Sequence, residues 1–213
     1  MHHADRGPEP ESLRQVRETY TPRWVAFYRG GEGDKPPDSH WRRFCEALGR
    51  AFHGLCAYCE DYCRGEVDHF HPKSRFPELV YEWTNWVFSC HDCNHAKANS
   101  WPQTGYIDPC DASEDGRPEH FFNFDTQTGE ILPRVGLSPP ETSRAWDTIR
   151  GLDLNGFHHL RKRLSWLSAL RLALAELALS QSARAKLVRF AASRETSFSS
   201  IARTLLTQLG YAF

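Results

Sequence analysis

Residues 56–97, CAYCEDYCRGEVDHFHPKSRFPELVYEWTNWVFSCHDCNHAK, decide the fold. Two Cys-x-x-Cys pairs, Cys56/Cys59 and Cys90/Cys93, bracket the stretch. Each pair can present two thiolates on a tight turn, and four thiolates converge into a tetrahedral site that suits Zn²⁺ with no coordination position left open. A zinc held in this way is structural. The pairs stand 30 residues apart, more than the roughly 15–20 of the usual four-Cys site, so the loop houses something besides the metal. Within it, Val67-Asp68-His69-Phe70 has the pattern of a short strand, and Pro72 and Pro77 force the chain out of regular structure beyond it. Asp68 and His69 then point to opposite sides of a strand end, where one can reach a metal and the other a water.

Outward from this stretch, the chain is punctuated by helical periodicity. Glu11 to Tyr20 reads as a short exposed helix ended by Pro22, after a poorly ordered start. Trp24, Phe27 and Tyr28 form an aromatic cluster before a flexible Gly30-Gly31-Glu32-Gly33 loop, and Ser39 can cap the helix that follows. From His40 to Phe52, Trp41, Phe44, Leu48 and Phe52 recur at steps of three and four, the mark of an amphipathic helix. A helix is expected to begin at Cys93, with Asn94 in its first turn and Lys97 one turn on. Phe121, Phe122 and Phe124, followed by Thr126-Gln127-Thr128-Gly129, read as a hairpin. Helices are expected over Glu141–Leu152 and Ser197–Leu209. Phe157 to Arg194 is also helical and carries Arg161, Lys162, Arg163, Arg171, Arg184, Lys186, Arg189 and Arg194 as a local basic patch. The expected fold is α+β and mostly helical: a nucleus at 55–102, an N-terminal helical segment at 1–54, and a hairpin with helices at 103–213.

At 213 residues, 40% apolar and 13% aromatic, the chain can bury a core of its own. A formal net charge of −1 gives no global pull towards nucleic acid, so any such binding rests on local patches. Seven Cys, an odd number, no signal-peptide pattern and no apolar run of about 18 residues fit a reducing, cytoplasmic protein with no membrane partner.

Asp68-His69, then Asn85, then Cys93-Asn94-x-x-Lys97, framed by the Cys pairs, resembles the HNH, or ββα-metal, endonuclease motif in its zinc-stapled form. The longer run, adding W-T-N-W, Asp108-Pro109-Cys110 and T-I-R-G-L-D-L-N, resembles an HNH subfamily found with retron and Septu-type antiphage systems, over roughly Leu55 to Leu164. The resemblance implies that His69 is the general base, that Asn85 fixes the loop carrying it, and that Asp68 and Asn94 hold a catalytic divalent cation. It also implies a companion ATPase. The sequence departs from the subfamily at His71, where Arg is usual.

These roles suit the chemistry of phosphodiester hydrolysis. A neutral imidazole can take a proton from water at neutral pH, and Mg²⁺ or Mn²⁺ needs only one or two protein oxygens besides the phosphate. Lys97, and less directly Lys73, are candidate phosphate contacts, with DNA the expected substrate and RNA still open. Cys63, His71, His91 and His95 compete as metal ligands, while Cys45 and Cys110 read as buried thiols. The rival reading is a non-catalytic zinc module that binds nucleic acid or scaffolds a complex; such a module needs the Cys pairs but neither a base nor two oxygen ligands.

Overall fold

The computed structural model describes residues 1–31, 34–37, 39–176 and 180–213. Helix α1 (Glu11–Val25) runs into a π-helical turn at Ala26–Gly30, and α2 (Ser39–Arg42) and α3 (Cys45–Ala51) follow. Strands β1 (Glu66–His69) and β2 (Trp86–Ser89) pair antiparallel, and α4 (His91–Lys97) completes a ββα unit. After a four-residue helix α5 (Pro118–Phe121) comes the hairpin β3 (Phe122–Phe124) and β4 (Ile131–Pro133). The chain ends in α6 (Pro139–Gly151), α7 (Phe157–Ala175), α8 (Gln181–Ala192) and α9 (Ser199–Gln208). The architecture is therefore α+β and mostly helical, with two small sheets among the described residues. No helix among the described residues is long and apolar enough to cross a membrane.

Burial explains where local signals are overridden. Pro22 does not end α1: the helix passes through it to Val25 because Leu13, Val16 and Trp24 are buried on one face and the Trp24 indole N–H reaches the Tyr81 hydroxyl. The lost N–H at a helical proline is followed four residues later by the π-helical turn. The chain start is packed rather than loose, with Met1 1% exposed. The 40–52 stretch keeps its apolar face, with Trp41, Phe44, Leu48 and Phe52 all buried. It is nevertheless split in two, since the Phe44 N–H bonds to the Trp41 carbonyl in a tighter i→i−3 turn. Of the expected glycine loop, residues 32 and 33 lie outside the described residues, as does the Ser39 side chain and with it the expected cap.

One apolar core draws on residues from Met1 to Leu154 and wraps the ββα unit, so the N-terminal helices and the β1–β2 sheet share their interior. A second core lies between α7, α8 and α9, built on Leu167, Leu170, Val188, Ile201 and Leu205. Just before β1, Gly65 has no room for a side chain: a Cβ there would stand 2.4 Å from the Phe88 ring, which packs across it from β2. The basic residues of 157–194 do not form one face. Arg163 is buried with its guanidinium on the Gly129 and Leu154 carbonyls, Arg171 bonds the Thr126 carbonyl, Lys162 pairs with Asp61, and Arg194 pairs with Glu119. These cations fasten the helices to the rest of the chain.

Candidate functional site

The first Cys pair is set by a turn in which the Cys56 N–H bonds the Asp61 carbonyl and the Glu60 N–H bonds the Cys56 carbonyl. The Ala57 N–H, bonded to the Phe88 carbonyl, pins that turn to β2. The second pair opens α4, which begins at His91 and not at Cys93, because Cys90 is its N-cap and the Cys90 sulfur accepts the Cys93 N–H at 3.5 Å. A thiolate at this position also meets the positive end of the helix dipole. All four sulfurs are buried and lie within 4.8 Å of one another, with Cys59 and Cys90 3.8 Å apart. Four sulfurs at about 2.3 Å from a tetrahedral Zn²⁺ stand about 3.8 Å from each other, so the residues fit that ion. The protons tell the same story. Hydrogen bonding to Cys56 and the other two sulfurs, with burial, holds the Cys93 thiol well above the ordinary range. Against burial, which raises it, bonds from Cys59, Cys90 and Cys93 hold Cys56 well below that range. Shared protons of this kind are what a divalent cation replaces.

Strand β1 and helix α4 then set out the second group of residues. Asp68, His69 and Asn94 line one cavity of about 550 Å³, together with Glu66, Trp41, Arg42 and Lys73. His69 is buried with its ring edge-on to Trp41 at 4.9 Å and its Nε2 2.9 Å from the Val80 carbonyl. A carbonyl only accepts, so Nε2 carries the proton and Nδ1 holds the lone pair. Burial, reinforced by Lys73, pushes the His69 pKa down to about 3, which keeps the ring neutral. Asn85 clasps the loop that follows: its Oδ1 accepts the His71 N–H at 2.7 Å, its Nδ2 donates to the His71 and Leu79 carbonyls, and its own carbonyl accepts the Phe70 N–H.

Asp68 is 3% exposed, and both carboxylate oxygens are engaged, one by Lys97 at 2.9 Å and one by the Tyr58 hydroxyl at 2.6 Å. Lys97 is itself 1% exposed and also donates to the His69 carbonyl at 2.7 Å. The ammonium expected to meet a phosphate is therefore placed in the interior as the charge partner of Asp68, and Lys97 does not line the cavity. Asn94 donates its Nδ2 to Glu66 at 2.8 Å. A carboxylate accepts only, so this bond turns the Asn94 amide oxygen away from Glu66, as a metal ligand requires.

The competing ligands lie elsewhere. His71 packs edge-on to Phe70 and Phe76 and tilted against Trp101, with Nδ1 on Asn85. His91 pairs with Glu66 and stacks on His95 in an exposed array. Cys63 is outside the four-sulfur cluster, and Cys45 and Cys110 are partly rather than fully buried. Sequence reading missed Tyr58, Glu66, Arg42 and His159. Glu66 was open to it, since residues two apart on a strand share a face; the other three come from other elements and leave no local periodicity.

The sequence profile of the HNH endonuclease family matches residues 56–100, the span that holds both Cys pairs, β1, β2 and α4. Residues 56–100 form an HNH endonuclease domain. A Septu protein, PtuB of Bacillus thuringiensis, is 45% identical over 49 residues, which are 20% of this chain and 18% of that protein. The chain thus matches less than a fifth of that relative's length.

Proposed function

We propose that the protein is an endonuclease that hydrolyses phosphodiester bonds in DNA with one divalent cation, Mg²⁺ or Mn²⁺, and that it serves as the nuclease of a Septu-type antiphage system. The observation that carries the reading is the meeting of a neutral, tautomerically fixed His69 with Asp68 and the Asn94 amide oxygen on one cavity. In this reading His69 Nδ1 takes the proton of the attacking water, a step worth about 10²–10⁴ in rate. Asn85 holds the loop that follows His69, and the Val80 carbonyl fixes the ring. Asp68 and Asn94 hold the cation, whose chemistry when bound is to polarise the phosphate and relieve charge on the leaving oxygen. Lys97 and Tyr58 orient the Asp68 carboxylate. The four thiolates of Cys56, Cys59, Cys90 and Cys93 hold a structural zinc that fixes the start of α4, and hence Asn94.

Phosphate contacts are assigned to Arg42 and Lys73, because these are the cations that line the cavity while Lys97 is buried. Lys73 lies over the Trp41 ring at 5.4 Å, which sets its ammonium at the cavity wall. The antiphage role rests on the likeness to a Septu protein, and control by a companion ATPase follows from it: these 213 residues contain no G-x-x-x-x-G-K-[ST] phosphate loop with which to couple cutting to a nucleotide. Purified protein incubated with supercoiled plasmid, and in parallel with structured RNA, tests the reading. Nicking of the plasmid with Mg²⁺ or Mn²⁺ and none in chelator is expected; binding without cleavage under every metal would instead leave the non-catalytic zinc module. Co-expression with a neighbouring ATPase gene is expected to give co-elution and altered cleavage.

A further inference from the structure

We propose that His159, on α7, is an outer-sphere partner of the four-cysteine centre, donating its Nε2–H to the Cys93 sulfur and thereby tying the C-terminal helices to the metal. The inference rests on the reading of Cys56, Cys59, Cys90 and Cys93 as a zinc site. His159 is 1% exposed, and its Nε2 stands 3.6 Å from the Cys93 sulfur. A metal-bound thiolate has no proton to give, so the hydrogen in this contact belongs to Nε2. The other ring nitrogen, Nδ1, is then a bare acceptor, and among the described residues it is buried with no hydrogen-bond partner. A buried polar atom left unsatisfied carries a penalty, and a strong bond at the opposite nitrogen is what offsets it.

The electrostatics call for such a donor. Four thiolates around Zn²⁺ leave the centre with two negative charges in a buried place, where N–H and O–H donors to sulfur stabilise it. The Cys90 sulfur receives the Cys93 N–H, and the Ser89 hydroxyl, whose proton goes to the Cys90 carbonyl, lies 3.8 Å from the Cys56 sulfur. Both partners lie inside the span that matches the HNH family. For Cys93 the donor comes from a helix 66 residues further along. One turn beyond His159, the buried Arg163 fixes the same helix to the Gly129 carbonyl of the β3–β4 turn at 2.6 Å. The imidazole is thus carried on a helix that Arg163 fastens to the hairpin turn.

Three measurements on the full chain test this. First, zinc release to a chromophoric chelator is timed for wild type, His159→Phe, which keeps ring volume without a donor, and His159→Gln, which keeps an N–H. Release is expected to be about 10–100 times faster in the Phe variant, the usual cost of losing such a partner, and to return towards wild type in the Gln variant. Equal rates for Phe and wild type overturn the proposal. Second, the ¹⁵N shifts of His159 in zinc-loaded wild type need no variant to fold, and they are expected to show the proton on Nε2; a proton on Nδ1 overturns it. Third, Co²⁺-loaded wild type is expected to show the absorption of four sulfur ligands, whereas three sulfurs and one nitrogen would make His159 a ligand and overturn its outer-sphere role. If wild type takes up neither Zn²⁺ nor Co²⁺, the zinc reading falls, and this inference with it.

Discussion

Replacing Lys97 by Met tests whether this residue is an interior charge partner or a surface contact. The two side chains of the Lys97–Asp68 pair are 1% and 4% exposed, with nitrogen and oxygen 2.9 Å apart. Met fills much of the same volume but leaves the Asp68 carboxylate buried with only the Tyr58 hydroxyl, and it strips a donor from the His69 carbonyl. Breaking one side of a buried pair costs about 3–5 kcal/mol, because the remaining charge is uncompensated. In a chain of this size each kcal/mol moves Tm by about 2–4 °C, so the expected fall is roughly 6–20 °C, measured by thermal melts at fixed zinc and protein concentration. Asp68→Asn combined with Lys97→Met is expected to recover much of that loss, since the orphaned charge is gone; the coupling is read from the double-mutant cycle. A surface phosphate contact behaves in the opposite way. Tm would move by no more than a degree or two, and the salt dependence of DNA affinity would flatten by about 0.9 in log–log slope. A melt within 2 °C of wild type, with that flattened slope, would refute the placement of Lys97.

Other perturbations separate the parts of the site. Cys90→Ser is expected to lose zinc and stability before chemistry, because a closed zinc site contributes folding free energy directly; unchanged zinc content and Tm would defeat the assignment. Asn94→Ala is expected to weaken Mn²⁺ binding, followed by electron paramagnetic resonance, by at least about tenfold, and equal affinity would remove Asn94 from the ligand set. At the start of α6, the Ser138 hydroxyl and N–H hold the Glu141 carboxyl down to about 2. A depressed carboxyl stabilises the folded state fully above its unfolded value near 4.5 and loses that contribution as pH falls towards 2. The Tm gap between wild type and Glu141→Gln should therefore be full at about pH 6 and shrink on acidification; a gap that widens would contradict the capping box.

The parts of the site that were legible in the sequence are those encoded by short-range spacing. The Cys pairs, the strand at Asp68-His69 and the helix carrying Asn94 follow from spacing and turn chemistry, and the β3–β4 hairpin follows from its aromatic run and Thr-Gly turn. What was not legible depends on partners far along the chain. A lysine one turn after Asn94 looks exposed until β1 supplies Asp68, 29 positions earlier, as its partner. His159 carries no local sign of the four-cysteine cluster, and the cations of 157–194 look like a patch because sequence does not show that Arg163 and Arg171 end on backbone carbonyls. Pro22 marked a helix end by its own chemistry, and the burial of Trp24 outweighed it.

Single-turnover cleavage by His69→Ala, beside wild type with Mg²⁺, tests the central claim most directly. The Val80 carbonyl keeps the Trp86 indole N–H at 2.9 Å when the imidazole is gone, so zinc content is expected to stay at one per chain and the fold to persist. The rate is expected to fall by about 10²–10⁴. A folded, zinc-loaded His69→Ala protein that cuts DNA at the wild-type rate would contradict the account.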